Sequence, residues 1–331
     1  MKSARKIGRK QTRGAALLVA MLVVVLVASF ATAVLWQQWR AVEVEAAERA
    51  RAQSAWLLAG ALDWSRLILR EDVRTSSVDN LNEPWAVPLA EARLSSFLAA
   101  DKNISSDMLA GLPDVFLSGR IADAQAKLNI ANLIGSTNPA SPAVAAFTKL
   151  FQLLGLPPAD LQRLITGVQQ ASAANGNNGN VPLMPQRLRQ LMWFGLSPQT
   201  IAALESHVTI LPAATPLNVN TASAEVLAAS LPSLDLSSAQ RLVLQRTLRP
   251  FNTLAAAQAA MPESAAQLVE GQHSVNTAYF EVTGRLRLDK NWVEEHSLLR
   301  REDIRVNIVW RERSAGMTPP AGKPNPGLLS P

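Results

Sequence analysis

The chain of 331 residues contains no cysteine. That excludes a disulfide framework, a thiolate zinc site, an iron–sulfur cluster and a cysteine nucleophile. It does not exclude export, because a core of this size needs no covalent staple. Aromatic residues are scarce at 5%, and charged residues make up only 18%. With 48% hydrophobic residues, the composition is too apolar for a wholly disordered chain and not apolar enough for a multi-span membrane protein. Ala and Leu dominate the apolar set, which predicts mostly helix with a minor sheet component. Acidic residues are absent from the first fourteen positions, MKSARKIGRKQTRG, which hold Lys2, Arg5, Lys6, Arg9, Lys10 and Arg13. Those six account for the whole net charge of +6, and the rest of the chain balances to zero. A phosphate-binding body should be positive on at least one face, and this charge distribution gives that idea no support.

Catalytic patterns are missing as well. His207, His273 and His296 are far apart in sequence, and no metal-ligand spacing joins them. There is no Gly-x-Ser-x-Gly, no phosphate loop and no defensible Ser/His/Asp order. The expectation is a protein that is not an enzyme and holds no committed cofactor.

What the sequence does have is one long apolar run. From Ala15 to Leu35 it reads AALLVAMLVVVLVASFATAVL without a charge, long enough to span about 30 Å of hydrocarbon as a helix. The preceding positive charges place the N-terminus in the cytoplasm and the chain beyond Arg40 on the opposite side, with Trp36 and Trp39 at the far interface. Three readings compete. A cleaved secretory signal peptide usually has a shorter apolar region, of about 7–15 residues. A plain signal anchor is the second reading. The third rests on the join Arg13-Gly14-Ala15-Ala16, where a basic residue and a glycine stand directly before the apolar run. That join resembles the leader of type IV prepilins and pseudopilins, in which cleavage after Gly14 leaves Ala15 at the head of an intact apolar helix.

The helix pattern continues past the membrane. Residues 36–73 contain no proline and are rich in Ala, Glu, Arg and Leu, all good helix formers. Trp56, Leu57, Ala61, Trp64 and Ile68 recur at spacings of three to four, which predicts one apolar stripe. An unbroken helix from Ala15 to Val73 would be roughly 90 Å long. The polar stretch RTSSVDNLNEPWAVPL after Val73 reads as loop, and residues 112–134 read as a short strand followed by a turn at Ser118-Gly119. Two helical patterns flank Leu156-Pro157-Pro158, the Gly/Asn-rich residues 171–186 read as an exposed loop, and 187–270 read as helical again. Thr221 or Ser223 is placed to cap a helix from Ala224, and Ser237 or Ser238 to cap the next. Residues 275–290 and the Ile304–Trp310 segment alternate apolar and polar, the period of half-buried antiparallel strands. The Pro/Gly-rich tail 314–331 reads as disordered. Strand, helical block, then strands predicts an α+β fold carrying an insertion.

Taken in order, Arg13-Gly14-Ala15 before the helix, Gly119-x-x-x-Asp123-Ala-Gln, Leu128-Asn129, Leu217-Asn218-Val219-Asn220-Thr221-Ala222 with Glu225-Val226-Leu227, and Tyr279-Phe280 resemble the type II secretion system minor pseudopilin protein K (general secretion pathway protein K). The resemblance implies an α+β head in which the long transmembrane helix packs on a small antiparallel sheet. It also implies a large inserted α-helical domain of helix-hairpin-helix or SAM-like units. It divides the chain into a leader (1–14), a transmembrane helix (15–35), its periplasmic continuation (36–73), the start of the pilin-like head (74–134), the inserted helices (135–270), the C-terminal strands (271–313) and the tail (314–331).

It implies processing by prepilin peptidase between Gly14 and Ala15, with methylation of the new N-terminus, and a single-pass inner-membrane protein with a periplasmic head. The implied partners are the minor pseudopilins I and J, the major pseudopilin and the inner-membrane secretion platform, with no nucleic acid. Val19 stands fifth after the join, where most pilins carry glutamate and protein K lacks it. An unpaired carboxylate in the membrane costs roughly 2.5–3.5 kcal/mol or more, and a subunit at a filament tip has no neighbour above to pair it. The implied function is to start or cap the pseudopilus that exports folded proteins.

The rival for LNVNTASAEVLAASLPSLDLSSAQRLVLQR is a helix-hairpin-helix DNA-uptake module, with a signal-anchored periplasmic scaffold as the other alternative. DNA-binding hairpins use Gly-x-Gly so that backbone N–H groups approach phosphate. Here Leu231-Pro232-Ser233-Leu234-Asp235-Leu236 has neither glycine and adds an acid. Calcium stays open, since pseudopilins of this family can bind it in the head. Asp101, Asn103, Ser105 and Asp107 alternate as in a calcium loop, but Ser106 and Leu112 stand where glycine and an acid belong.

Overall fold

The computed structural model describes residues 13–95, 115–136, 138, 140–173, 182–262, 265–288 and 291–316. The segment 101–107 therefore lies outside the described residues. Helix α1 runs over Arg13–Thr75, 63 residues without a proline. The chain divides into two compact units, residues 1–57 and 58–331.

In the first unit, residues 15–35 of α1 are exposed throughout and the apolar window has mean hydropathy 2.8, long and apolar enough to cross a membrane. Beyond it charged pairs join exposed apolar residues on the surface, with Glu45–Arg49 at 2.8 Å and Glu48–Arg51 at 3.0 Å. Such spacings put the two side chains on one helix face.

The second unit begins with the last turns of α1, where Leu58, Leu62, Ser65, Leu69 and Asp72 form the buried stripe. The expected stripe is correct in period and displaced in phase, because Trp56 is 79% exposed and Trp64 43%. Ser65 sits in it by donating its hydroxyl to the Ala61 carbonyl at 3.0 Å. The stripe covers a five-stranded antiparallel sheet. Its strands are β1 (Leu89–Arg93), β2 (Val115–Asp123), β7 (Tyr279–Leu288), β8 (Asn291–Glu302) and β9 (Arg305–Gly316), in the spatial order β1-β2-β7-β8-β9. Leu62 and Leu69 pack with Trp85, Phe280, Val282, Leu299 and Val306.

Gly119 belongs to the middle of β2, not to a turn. It pairs with Gly284 of β7, and a Cβ there would lie 3.0 Å from the Thr283 carbonyl oxygen. β1 starts at the last residue of the stretch read as loop, and β8 was not expected from the pattern. β8 has little apolar alternation because cross-strand ion pairs take its place: Arg285 to Glu294, and Arg311 and Arg313 to Glu295.

Between β2 and β7 the chain builds a helical body. It contains β3 (Leu128–Asn129), α2 (Pro142–Leu153), α3 (Pro158–Ala173), a 3₁₀ helix over Leu188–Phe194, α4 (Pro198–Leu204) and β4 (Val208–Thr209). It continues with β5 (Leu217–Asn218), α5 (Ala224–Ser230), α6 (Leu236–Leu248), α7 (Leu254–Ala259) and β6 (His273–Ser274). β4 and β5 interrupt the 187–270 region read as helical, pairing in two parallel ladders, β3–β4 and β5–β6. Ser223 caps α5, as one expectation had it, whereas α6 is capped by Asp235 accepting from the Ser238 amide at 2.6 Å. Phe147, Leu150, Phe151, Leu164, Leu191, Leu204, Leu227 and Leu242 share one core. The mixture of one long helix, an antiparallel sheet and an inserted helical body is the α+β fold the pattern predicted.

Candidate functional site

Gly14, Ala15 and Val19 all lie in α1, Ala15 and Val19 on exposed helix surface. Val19 continues the uncharged apolar run without a break at that position.

In the head, the motif residues converge at one buried junction. Asp123 ends β2 and is fully buried. Its Oδ1 accepts from the Gln125 amide at 2.7 Å, and its Oδ2 accepts from Asn218 Nδ2 at 2.8 Å and Thr221 Oγ1 at 2.6 Å. Burial pushes its carboxyl up to about 6 against the pull of those donors. Gln125 then ties Pro216 to Ala278, accepting from the Ala278 amide at 2.7 Å and donating to the Pro216 carbonyl at 3.0 Å. Asn220 exchanges two bonds with the Phe251 backbone, each 2.9 Å. Asn129 donates to the Ala213 carbonyl at 2.7 Å and accepts from the Leu211 and Ala131 amides. Asn132 does the same with Thr215. These side chains are spread over about a hundred positions of sequence, and they satisfy backbone groups that irregular segments would leave unpaired. Asp123 and Gln125 tie the end of β2 to the β5 segment, while Asn129, Asn132 and Asn220 brace segments within the helical body.

A second buried cluster was not legible from the sequence. Arg301 of β8 donates from Nη1 to Asp72 of α1 at 2.8 Å. Its Nη2 donates to both oxygens of Asp79, at 2.5 and 2.7 Å, and to the Thr277 carbonyl at 3.1 Å. The guanidinium lies 4.8 Å from the centre of the Phe280 ring. Glu83 joins by accepting from Trp85 Nε1 at 2.7 Å and the Asn80 amide at 3.0 Å. Carboxylate oxygens of Asp72, Asp79 and Glu83 lie within 4.8 Å of one another. Burial and the neighbouring Glu83 push Asp72 up to about 6, and burial pushes Asp79 up as well. Among the described residues these three form the acidic group that could hold a cation, and Arg301 already supplies positive charge to two of them. Nothing in the sequence between 74 and 83 signals this, because the acids read as solvated loop until the sheet buries them.

The hairpin between α5 and α6 turns carbonyls inward, not amides outward. Lys149 Nζ of α2 donates to the carbonyls of Leu231 and Pro232, both at 2.9 Å, and of Leu234 at 2.7 Å. A phosphate-binding hairpin needs free N–H groups. This one is organised around a cation from its own fold, and Asp235 accepts within α6. The histidines stay apart: His207 follows α4, His273 is buried in β6, and His296 meets Glu294 on β8 at 2.6 Å.

The fold and its junction define a class: an α+β head with an inserted helical body, on a helix long and apolar enough to cross a membrane. The family model of the type II secretion system, protein K, matches residues 217–276, the segment from β5 through β6 that holds Asn218, Asn220 and Thr221. The type II secretion system protein K of Pseudomonas aeruginosa PAO1 is 24% identical over 337 residues, covering 94% of this chain and 96% of that protein. A chain in the crystal structure of the GspK–GspI–GspJ complex of the enterotoxigenic Escherichia coli type 2 secretion system has the same fold. It superposes with TM-score 0.61 at 17% identity, covering 81% of this chain and 98% of that one. The family model and the relative are both of protein K of a type II secretion system, the family that the motifs resemble, and the solved chain shares the fold.

Proposed function

We propose that this chain is a structural, non-enzymatic minor pseudopilin of a type II secretion system, seated at the pseudopilus tip. The observation that carries the reading is the uninterrupted apolar helix with Val19 at the fifth position after Gly14, followed by a head with a large helical insert. Prepilin peptidase cuts after Gly14 and Ala15 becomes the methylated N-terminus. The helix sits in the inner membrane with residues 1–14 cytoplasmic and the head periplasmic, as the basic leader requires. Lacking the membrane carboxylate, the subunit does not need a neighbour above it. Its bulky head would overhang a subunit stacked on top, which suits the start or cap of a filament and not its shaft.

The partners on this reading are counterparts of the GspI and GspJ that accompany GspK in the solved complex, together with the major pseudopilin and the inner-membrane platform. Mass spectrometry of the mature protein from membranes tests the reading. The expected species begins at Ala15 with an added methyl group. An intact Met1, or a cut beyond Leu35, refutes it.

A further inference from the structure

A cavity of about 290 Å³ opens in the helical body, lined by Lys127, Asn129, Phe147, Thr215, Leu217 and His273 among others. His273 is only 4% exposed. Its Nδ1 accepts from the Val269 amide at 3.3 Å, so the ring proton of the neutral form sits on Nε2. Burial holds the imidazole below its ordinary titration range, in keeping with a neutral ring. Nε2 makes no hydrogen bond among the described residues and keeps accessible surface, so its N–H is free to donate into the cavity.

Two other polar groups of the wall have protons to give. Lys127 Nζ spends one proton on Glu281 at 3.2 Å and has others to give. Thr215 Oγ1 accepts from Asn129 Nδ2 at 3.0 Å, which leaves its own hydroxyl proton to donate. The acceptor oxygens of Asn129 and Asn132 are already occupied by backbone amides. Ser136 and Ser230 spend their hydroxyl protons on the Asn132 and Leu227 carbonyls, Gln272 adds a side-chain amide, and apolar wall comes from Leu128, Ala143, Phe147 and Leu217. The volume is at the small end of ligand pockets, which run from about 300 Å³ upward.

We infer that this cavity binds a carboxylate carried on a short branched aliphatic body, the size of a leucine residue. The carboxylate accepts from His273 Nε2–H, Thr215 and Lys127, and the aliphatic part lies against Phe147 and Leu217. Two sources share this chemistry: a free small acid, and the C-terminal residue of a polypeptide. The site does not depend on the secretion reading, since its residues lie apart from α1 and the processing join.

The chain has three histidines, so full-length protein in detergent micelles with ¹⁵N-labelled imidazoles gives a resolved spectrum. Titration with 4-methylpentanoate, with N-acetyl-Gly-Leu and with N-acetyl-Gly-Leu-amide is expected to move the His273 Nε2 signal saturably for the two carboxylates and not for the amide. Tighter binding of the acetylated dipeptide assigns the source as a polypeptide C-terminus, and tighter binding of the free acid assigns a small metabolite. H273F should weaken binding by about tenfold or more, the loss of one hydrogen bond to a charged group. A143L, at a half-buried wall position, should narrow the cavity and weaken binding while the His207 and His296 signals stay in place. No saturable shift with either carboxylate, or an equal response to the amide, overturns the proposal.

Discussion

Asp123 shows how a single residue sets both architecture and pH response. Its carboxyl lies at about 6 in the fold against the ordinary 3.8, raised by burial. Between those values the native state holds the proton more tightly than the unfolded chain, so this group adds stability as pH falls from about 6 to about 4 and adds nothing further below that. Asp123→Asn removes the titration and turns an amide N–H₂ toward donors that now point at a carboxylate. The cost at pH 7.5 should be about 1–3 kcal/mol, as for a buried polar group with a mismatched partner. Because only the wild type gains from protonation, that cost should grow by about 2 kcal/mol at pH 4.5. Urea titrations of both full-length proteins in the same detergent, at the two pH values, read the difference. A cost that shrinks at low pH would show that Asp123 is held ionised by its donors.

Elements show where sequence reasoning succeeds and where it stops. β7 was legible because Phe280, Val282 and Leu286 alternate toward α1, and α1 was legible because no proline interrupts it. β8 was not, since Glu294 and Glu295 are paired by arginines of neighbouring strands that a linear pattern does not reveal. Of the junction, the motif residues Asp123, Asn129, Asn218 and Asn220 stood out in the chain, but their convergence depends on pairing across about ninety residues. The Arg301 cluster had no sequence signal, because its acids come from a helix end and a loop. Packing between elements hides in small residues as well. A Cβ on Gly167 of α3 would lie 2.4 Å from Phe194 Cγ at the end of the 3₁₀ helix. Phe194 is 9% exposed and shares the core with Leu164 and Leu191, so it has little room to retreat. Gly167→Ala, favourable by helix propensity alone by about 1 kcal/mol, should instead destabilise the head by about 1–3 kcal/mol through overpacking. A shift of the urea midpoint to higher concentration would mean that the ring moves aside freely.

At the scale of the whole molecule, the uneven charge of the chain becomes the main physical fact. A body with balanced charge follows a leader of six cations, separated from it by the apolar run of α1. Lysine and arginine resist transfer across the bilayer, so a leader of this kind stays behind while the apolar segment inserts. The same asymmetry accounts for a pI near 10 while the rest of the chain balances to zero. Changing Lys2, Arg5, Lys6, Arg9 and Lys10 to Gln removes most of the bias without touching the Arg13-Gly14-Ala15 join or the head. With alkaline phosphatase fused after Pro331, an enzyme active only outside the cytoplasm, the wild-type leader should give high activity. The five-Gln leader should lower it severalfold as a fraction of chains inserts the other way. Equal activity from the two would mean that the large head dictates orientation by itself and that the leader serves cleavage alone.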